Sequence, residues 1–277
     1  MLHFIDPTID FVFKLILGTI GNENLLIDFI NRIINPASPI VSVTYINPVN
    51  EKQHEKDKFS VVDIKAIDGN GIKYQIEVQL TEPSFLADRM LYTWSSIYHT
   101  QAIKGKQFDK LKPVISIWLL TGSMIKSDNK FHHSFGIWDK INNVQLSDHC
   151  AIHVVELAKW QKPARLQRED YWLYFFKEAK NWKELPDNLK SLAVMRQAMN
   201  TLQSIADSEE AYLAYLARED QLMIERTIES QLKESKANLT QAKHRAKKAE
   251  ADKATAEAEN AQLLALLKQA GIDPKTL

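Results

Sequence analysis

Three oxygen-bearing side chains, Asp63, Glu77 and Gln79, stand in alternating apolar and polar segments on either side of the turn sequence Asp68-Gly69-Asn70-Gly71. Alternation sends successive side chains to opposite faces of a strand. Val62, Ile64 and Ala66 before the turn, and Ile72, Tyr74, Ile76 and Val78 after it, are the even-numbered apolar set and share a core face. Asp63 and Lys65, with Lys73, Gln75, Glu77 and Gln79, gather on the other face. A three-residue Gly69-Asn70-Gly71 turn pairs even with even and odd with odd, and so sets Asp63 opposite Glu77, with β-carbons about 4.5 to 5.5 Å apart. Two carboxylates so close repel. A hard divalent cation offsets the repulsion, because Mg²⁺ takes one or two carboxylates and completes its shell with water and phosphate oxygens. Gln79 points to the same side and is placed to orient a water or a phosphate oxygen. The alternative is a solvent-facing sheet surface on which Lys65 and Lys73 neutralise the acids.

The elements that would hold this hairpin are marked by periodicity. Phe11, Val12, Leu15 and Ile16, then Leu25, Leu26, Phe29, Ile30, Ile33 and Ile34, recur at helical spacing and are separated by a break at 18–22. Strand patterns follow at 40–46, 59–67 and 72–80, the last two joined by the glycine turn. A helical stretch at about 85–104 leads past Pro113 into the apolar run Val114–Leu120. The predicted order is helix, three strands, helix, strand. From Pro186 glycine disappears until Gly271 and the pattern is helical throughout, with Asp207 and Glu210 at capping-box spacing. A seven-residue frame runs from Leu232 to Ala270, with Leu232, Leu239, Ala246, Lys253, Asn260 and Leu267 at one core position and Ser235, Ala242, Ala249, Ala256, Leu263 and Ala270 at the other. That frame predicts a coiled coil with a thin, alanine-rich middle; the alternative is a solvated single helix. The expected divisions are 1–182, a catalytic domain with a β extension; 183–207, a helical connector; and 208–277, a long helix.

Composition narrows the function. The 277 residues are 45% hydrophobic and 25% charged, which excludes wholesale disorder. Thirty-five Lys and Arg balance 35 Asp and Glu, so any contact with nucleic acid must come from a local patch. The single cysteine, Cys150, excludes an intramolecular disulfide and fits a reducing compartment. The longest apolar run falls far short of the roughly 18 to 20 residues of a spanning helix, and the first residues do not read as a secretory signal, so the expected location is the cytoplasm. His132-His133 and the His149, Cys150 and His153 group lack paired zinc-ligand spacing. Trp172, Tyr174, Phe175 and Phe176 read as core rather than as a base-stacking platform.

The order Val62-Asp63-Ile64, glycine hairpin, Ile76-Glu77-Val78-Gln79 resembles the D…ExQ signature of the Rpn family of recombination-promoting nucleases and transposases, within the PD-(D/E)XK nuclease superfamily. Further matching features are Asp10 with Phe13-Lys14; Asn24, Leu25 and Asn31; Arg89, Tyr92, Tyr98, Gln101 and Gly105; Leu111 with Pro113; and Val155-Glu156-Leu157. The likeness spans roughly residues 6–160. It implies an α/β fold with a restriction-endonuclease-like core and a long helical tail, acting as a metal-dependent DNA endonuclease in recombination, transposition or phage defence. Asp63 and Glu77 would bind Mg²⁺, or Mn²⁺ or Ca²⁺ in its place. Gln79 stands where the superfamily more often has lysine; an amide cannot take a proton, so it would position the attacking water. Arg89, Tyr92, Gln101 and Lys65 are candidates for contact with DNA or support of the site, and Asp10 or Glu23 for an additional ligand. DNA is the expected partner, with a homodimer through the tail and no membrane association. The competing reading is a catalytically silent protein that keeps the nuclease fold and acts through its coiled coil.

Overall fold

The Gly-Asn-Gly turn closes as a three-residue loop, with Asp68 N–H donating to Ile72 O at 3.1 Å and Gly71 N–H to Asp68 O at 3.0 Å. Gly71 has φ +83°, a backbone state costly for any residue with a β-carbon. Asp68 secures the turn through its carboxylate, which accepts from the amides of Asn70 and Ile72 at 2.9 Å and from Tyr74 Oη at 3.1 Å. Burial and the neighbouring Asp68 charge push the Tyr74 phenol well above its ordinary range. In this computed structural model, which describes residues 4–46, 64–80, 83–102 and 107–270, the turn joins β2 (Ile64–Asp68) to β3 (Lys73–Gln79). Ile64 pairs with Ile76 and Ala66 with Tyr74, the even-to-even register that the turn length predicts.

The hairpin lies within a six-stranded sheet. Its other strands are β1 (Val43–Tyr45), β4 (Val114–Leu120), β5 (His132–Asp139) and β6 (Val144–Glu156), in the order β1-β2-β3-β4-β6-β5. β1, β2 and β3 are antiparallel, and β4 runs parallel to β3. The connection between β3 and β4 contains α3 (Leu86–His99), since a parallel neighbour requires a crossover. β6 then pairs parallel to β4, with β5 antiparallel at the edge.

Two apolar layers hold the sheet. Over the face carrying Ile64 and Ile76 lie α1 (Asp10–Gly18) and α2 (Glu23–Ile34), joined by α4 (Asp170–Glu178) and α6 (Ala193–Asp207). A β-carbon at Gly18 would come within 3.2 Å of Ile64 Cγ1, so glycine lets α1 close on the strand. Phe13, Phe29, Trp172, Phe175 and Phe176 form the aromatic centre of this layer, and each buried ring stabilises the fold by roughly 1.5–3 kcal/mol. They are core, and offer no face to a base. On the opposite side α3 lays Leu86, Met90 and Trp94 over Trp118, Leu120, Ile152 and Val154. The odd-numbered face of β3 is therefore a second core: Gln75 and Glu77 are buried, which overturns the solvent-facing alternative.

The carboxy-terminal part continues through α5 (Asp187–Lys190) and α6 to α7 (Glu209–Gln269). Ser208, rather than Asp207, caps α7: its hydroxyl accepts from Ala211 N–H at 3.3 Å and its carbonyl from Tyr212 N–H at 2.8 Å. Asp207 is the last residue of α6, so Ser208 is the first place where the backbone leaves helical geometry. The chain comprises two compact units, Met1–Leu216 and Ala217–Leu277. In the second, Met223, Ile224, Ile228, Leu232, Leu239 and Leu263 are exposed. Among the described residues no helix is long and apolar enough to cross a membrane.

Candidate active site

Strand register decides which polar groups meet under α3. Parallel pairing sets Gln75 beside Ser116, Glu77 beside Trp118 and Gln79 beside Leu120. Ser116 Oγ donates to Gln75 Oε1 at 3.1 Å, satisfying one buried amide oxygen. Glu77, only 5% exposed, receives an ion pair from Nη2 of Arg89, which projects from the first turn of α3. The same guanidinium donates through Nη1 to Gln79 Oε1 at 3.2 Å and lies 5.5 Å from the centre of the Trp118 ring. A buried carboxylate without a cation loses hydration with little in return; here the guanidinium offsets that loss and ties helix to strand. Trp118 is fully buried, and among the described residues its indole N–H has no hydrogen-bond partner.

These donors fit a hard cation. A carboxylate and an amide oxygen converge on one positively charged group, the planar guanidinium, which already occupies a place of negative potential. Oxygen donors are the ligands Mg²⁺ prefers. Glu77 is the described carboxylate that would hold it, with Gln79 beside it to orient a bound water; Asp63, the expected second carboxylate, lies outside the described residues. Among the described residues no three of His, Cys, Asp and Glu are grouped to hold a metal.

The other sequence candidates take separate places. Lys65 pairs with Gln75 across the hairpin, on the Glu77 side and half-buried. Asp10 opens α1, where its Oδ1 accepts from Phe11 N–H at 2.9 Å. Glu23 caps locally, its carboxylate accepting from Gly21 N–H at 2.9 Å. Tyr92 is 74% exposed, and Ser96 and His99, four and seven residues further along α3, are also exposed. Gln101 straps the backbone: its amide accepts from Lys112 N–H at 3.1 Å and donates to Lys112 O at 2.9 Å. Tyr98 Oη meets His149 Nδ1 at 2.9 Å. The structure thus brings Glu77, Gln79 and Arg89 together, and leaves Tyr92 and Gln101 elsewhere. Trp118 was missed. Alternation in 114–120 places it on a face with Ser116, but only the β3–β4 register puts that face beside Glu77.

Two further polar clusters are structural. Glu156, at the end of β6, is fully buried; its carboxylate accepts from the amides of Met124 and Ile125 and pairs with Lys159 at 2.7 Å. Burial works against its charge, but Lys159 and those amides hold its carboxyl below the usual range. His132 Nε2 lies 3.0 Å from His153 Nδ1, and His132 Nδ1 lies 3.2 Å from Glu169, which immediately precedes α4. Burial, helped by His132, pushes the His153 imidazole down to about 4. A cleft of about 620 Å³ lined by Phe4, Trp182, Met199 and Leu202 includes none of the Glu77 site.

Strand order and crossover are those of a PD-(D/E)XK-type nuclease core. The chain matches the family described as PD-(D/E)XK nuclease family transposase over residues 7–230, and it belongs to that family. No curated protein and no solved structure matches it. Membership brings a nuclease-type function, with nucleic-acid phosphodiesters as the substrate class and divalent metals as the usual cofactors.

Proposed function

We propose that the protein is a Mg²⁺-dependent DNA endonuclease whose reaction is centred on Glu77. The observation that carries this reading is a buried carboxylate, Glu77, beside an amide, Gln79, on β3, which pairs with β2 on one side and β4 on the other, with a cation drawn to both side chains. Asp63, one residue before β2, is proposed as the second carboxylate ligand. Bound Mg²⁺, or Mn²⁺ or Ca²⁺ in its place, would supply charge stabilisation at the phosphate and lower the pKa of a bound water. Glu77 and Asp63 hold the ion, and Gln79, which carries no transferable proton at its oxygen, orients the water. Lys65 adds positive charge on the same face.

Residues 1–182 are proposed to carry the chemistry, 183–207 to join it to the tail, and 208–277 to assemble two copies as a coiled coil. The row of exposed apolar side chains on α7 supports the last assignment. The setting proposed is the cytoplasm, in recombination, transposition or phage defence. Asp63→Asn is the sharpest test of the ligand set: Mg²⁺ binding by calorimetry and plasmid nicking should both disappear while the circular dichroism spectrum is unchanged. Nicking by this variant at the wild-type rate would remove Asp63 from the site.

A further inference from the structure

We propose that Arg89 competes with divalent metal for the Glu77 carboxylate, and that the metal enters by exchanging with it. The proposal rests on the reading of Glu77 as a metal ligand, with Gln79 beside it. The guanidinium spans both groups and stacks near Trp118. A divalent ion bonded to the Glu77 carboxylate at about 2.0–2.1 Å is opposed by a guanidinium held there, because the two cations would sit within a few ångströms of each other in a poorly screened environment. The carboxylate therefore trades one cation for the other.

Arg89 is able to make the move. Its side chain is 31% exposed, whereas Glu77 is 5% exposed, so the mobile partner is the one that reaches solvent. It stands in the first turn of α3, between the exposed residues Phe85 and Tyr92, so a swung-out guanidinium remains at the mouth of the site. The planar fork that leaves Glu77 is suited to a phosphate. A DNA phosphate at the mouth gives Arg89 a replacement partner, and so makes its departure easier. Metal and DNA then bind with positive coupling, and by linkage each raises the affinity of the other. The free protein binds metal weakly and becomes competent when substrate arrives.

The test is Mn²⁺ binding to the full-length protein, read from the electron paramagnetic resonance signal of the free ion, with and without a short uncleavable phosphorothioate duplex. Without DNA, Arg89→Met should bind Mn²⁺ about tenfold or more tightly than the wild type, because the opposing charge is gone. The duplex should tighten Mn²⁺ binding to the wild type and not to Arg89→Met. Equal or weaker binding by folded Arg89→Met would make Arg89 a fixed strut and overturn the exchange. A second measurement stands if that variant does not fold. Mg²⁺ added to the wild type should change the fluorescence contributed by Trp118, identified by its loss in Trp118→Phe, as the guanidinium leaves the ring; saturation without such a change overturns the proposal. Glu77→Gln separates the two levels: if it binds Mn²⁺ like the wild type, the metal-site reading itself fails. If it does not bind and Arg89→Met is no tighter, only the exchange fails.

Discussion

Glu77 illustrates how much of a site one residue type at one parity can determine. Its position on the polar side of β3 follows from period-two alternation and a turn of three residues, both legible in the sequence, and the Ile64–Ile76 pairing agrees with them. Its partner was not legible. Whether Arg89 touches a carboxylate, a phosphate or nothing depends on the rotation and height of α3 above the sheet, which tertiary packing of Leu86 and Met90 decides. The same holds for Trp118, whose relation to Glu77 is set by a parallel register that no local signal specifies. Gln79 gives a prediction at this scale. Gln79→Lys removes the acceptor for Arg89 and places two cations together, so stability should fall by about 1 kcal/mol or more while the fold persists. Thermal unfolding checks this, and complete loss of the folded state would contradict the half-buried environment assigned to residue 79.

At the scale of elements, side chains that resembled site residues turn out to fasten one element to the next. Gln101 bonds both the amide and the carbonyl of Lys112, holding the end of α3 to the segment that enters β4. Gln101→Ala should cost about 1–2 kcal/mol in chemical denaturation and leave metal affinity unchanged; a metal-binding defect would return Gln101 to the site. His132 and His153 fasten β5 and β6 to Glu169 before α4. The unfolded imidazole of residue 153 protonates below about 6.5, whereas the folded one stays neutral down to about 4. Between those values the unfolded chain binds more protons, so the stabilisation is fully present above pH 6.5 and is lost as pH falls towards 4, on the order of 3 kcal/mol in all. His153→Asn should flatten the pH dependence of denaturant midpoints across that window, and an unchanged slope would place the acid sensitivity elsewhere. Among the described residues of 10–120 the strands and helices were readable from periodicity, whereas 59–63 of the predicted second strand lie outside the described residues. The cap of α7 was displaced by one residue because α6 runs through Asp207, and helix termini depend on where the preceding helix stops.

At the scale of the whole molecule, α7 is 61 residues long, on the order of 90 Å at 1.5 Å per residue. Its heptads were visible in the sequence, but the number of chains they join is set by another copy and cannot be read from one chain. Ending the chain after Ser230 keeps the span matched to the family and removes the heptads from Leu232 onward. That shorter protein should be monomeric by light scattering where the full-length protein is dimeric; a monomeric full-length protein at tens of micromolar would leave α7 a solvated helix. Two joined sites are a route to cutting both strands, so the shorter protein should nick more and linearise less. Whether Glu77 holds a divalent metal that cleaves DNA is read directly from plasmid relaxation by purified full-length wild type and Glu77→Gln. The wild type should nick in Mg²⁺ and not in chelator, and a folded Glu77→Gln should be slower by about a hundredfold or more. Wild-type rates from Glu77→Gln, or cleavage indifferent to chelator, would contradict that role.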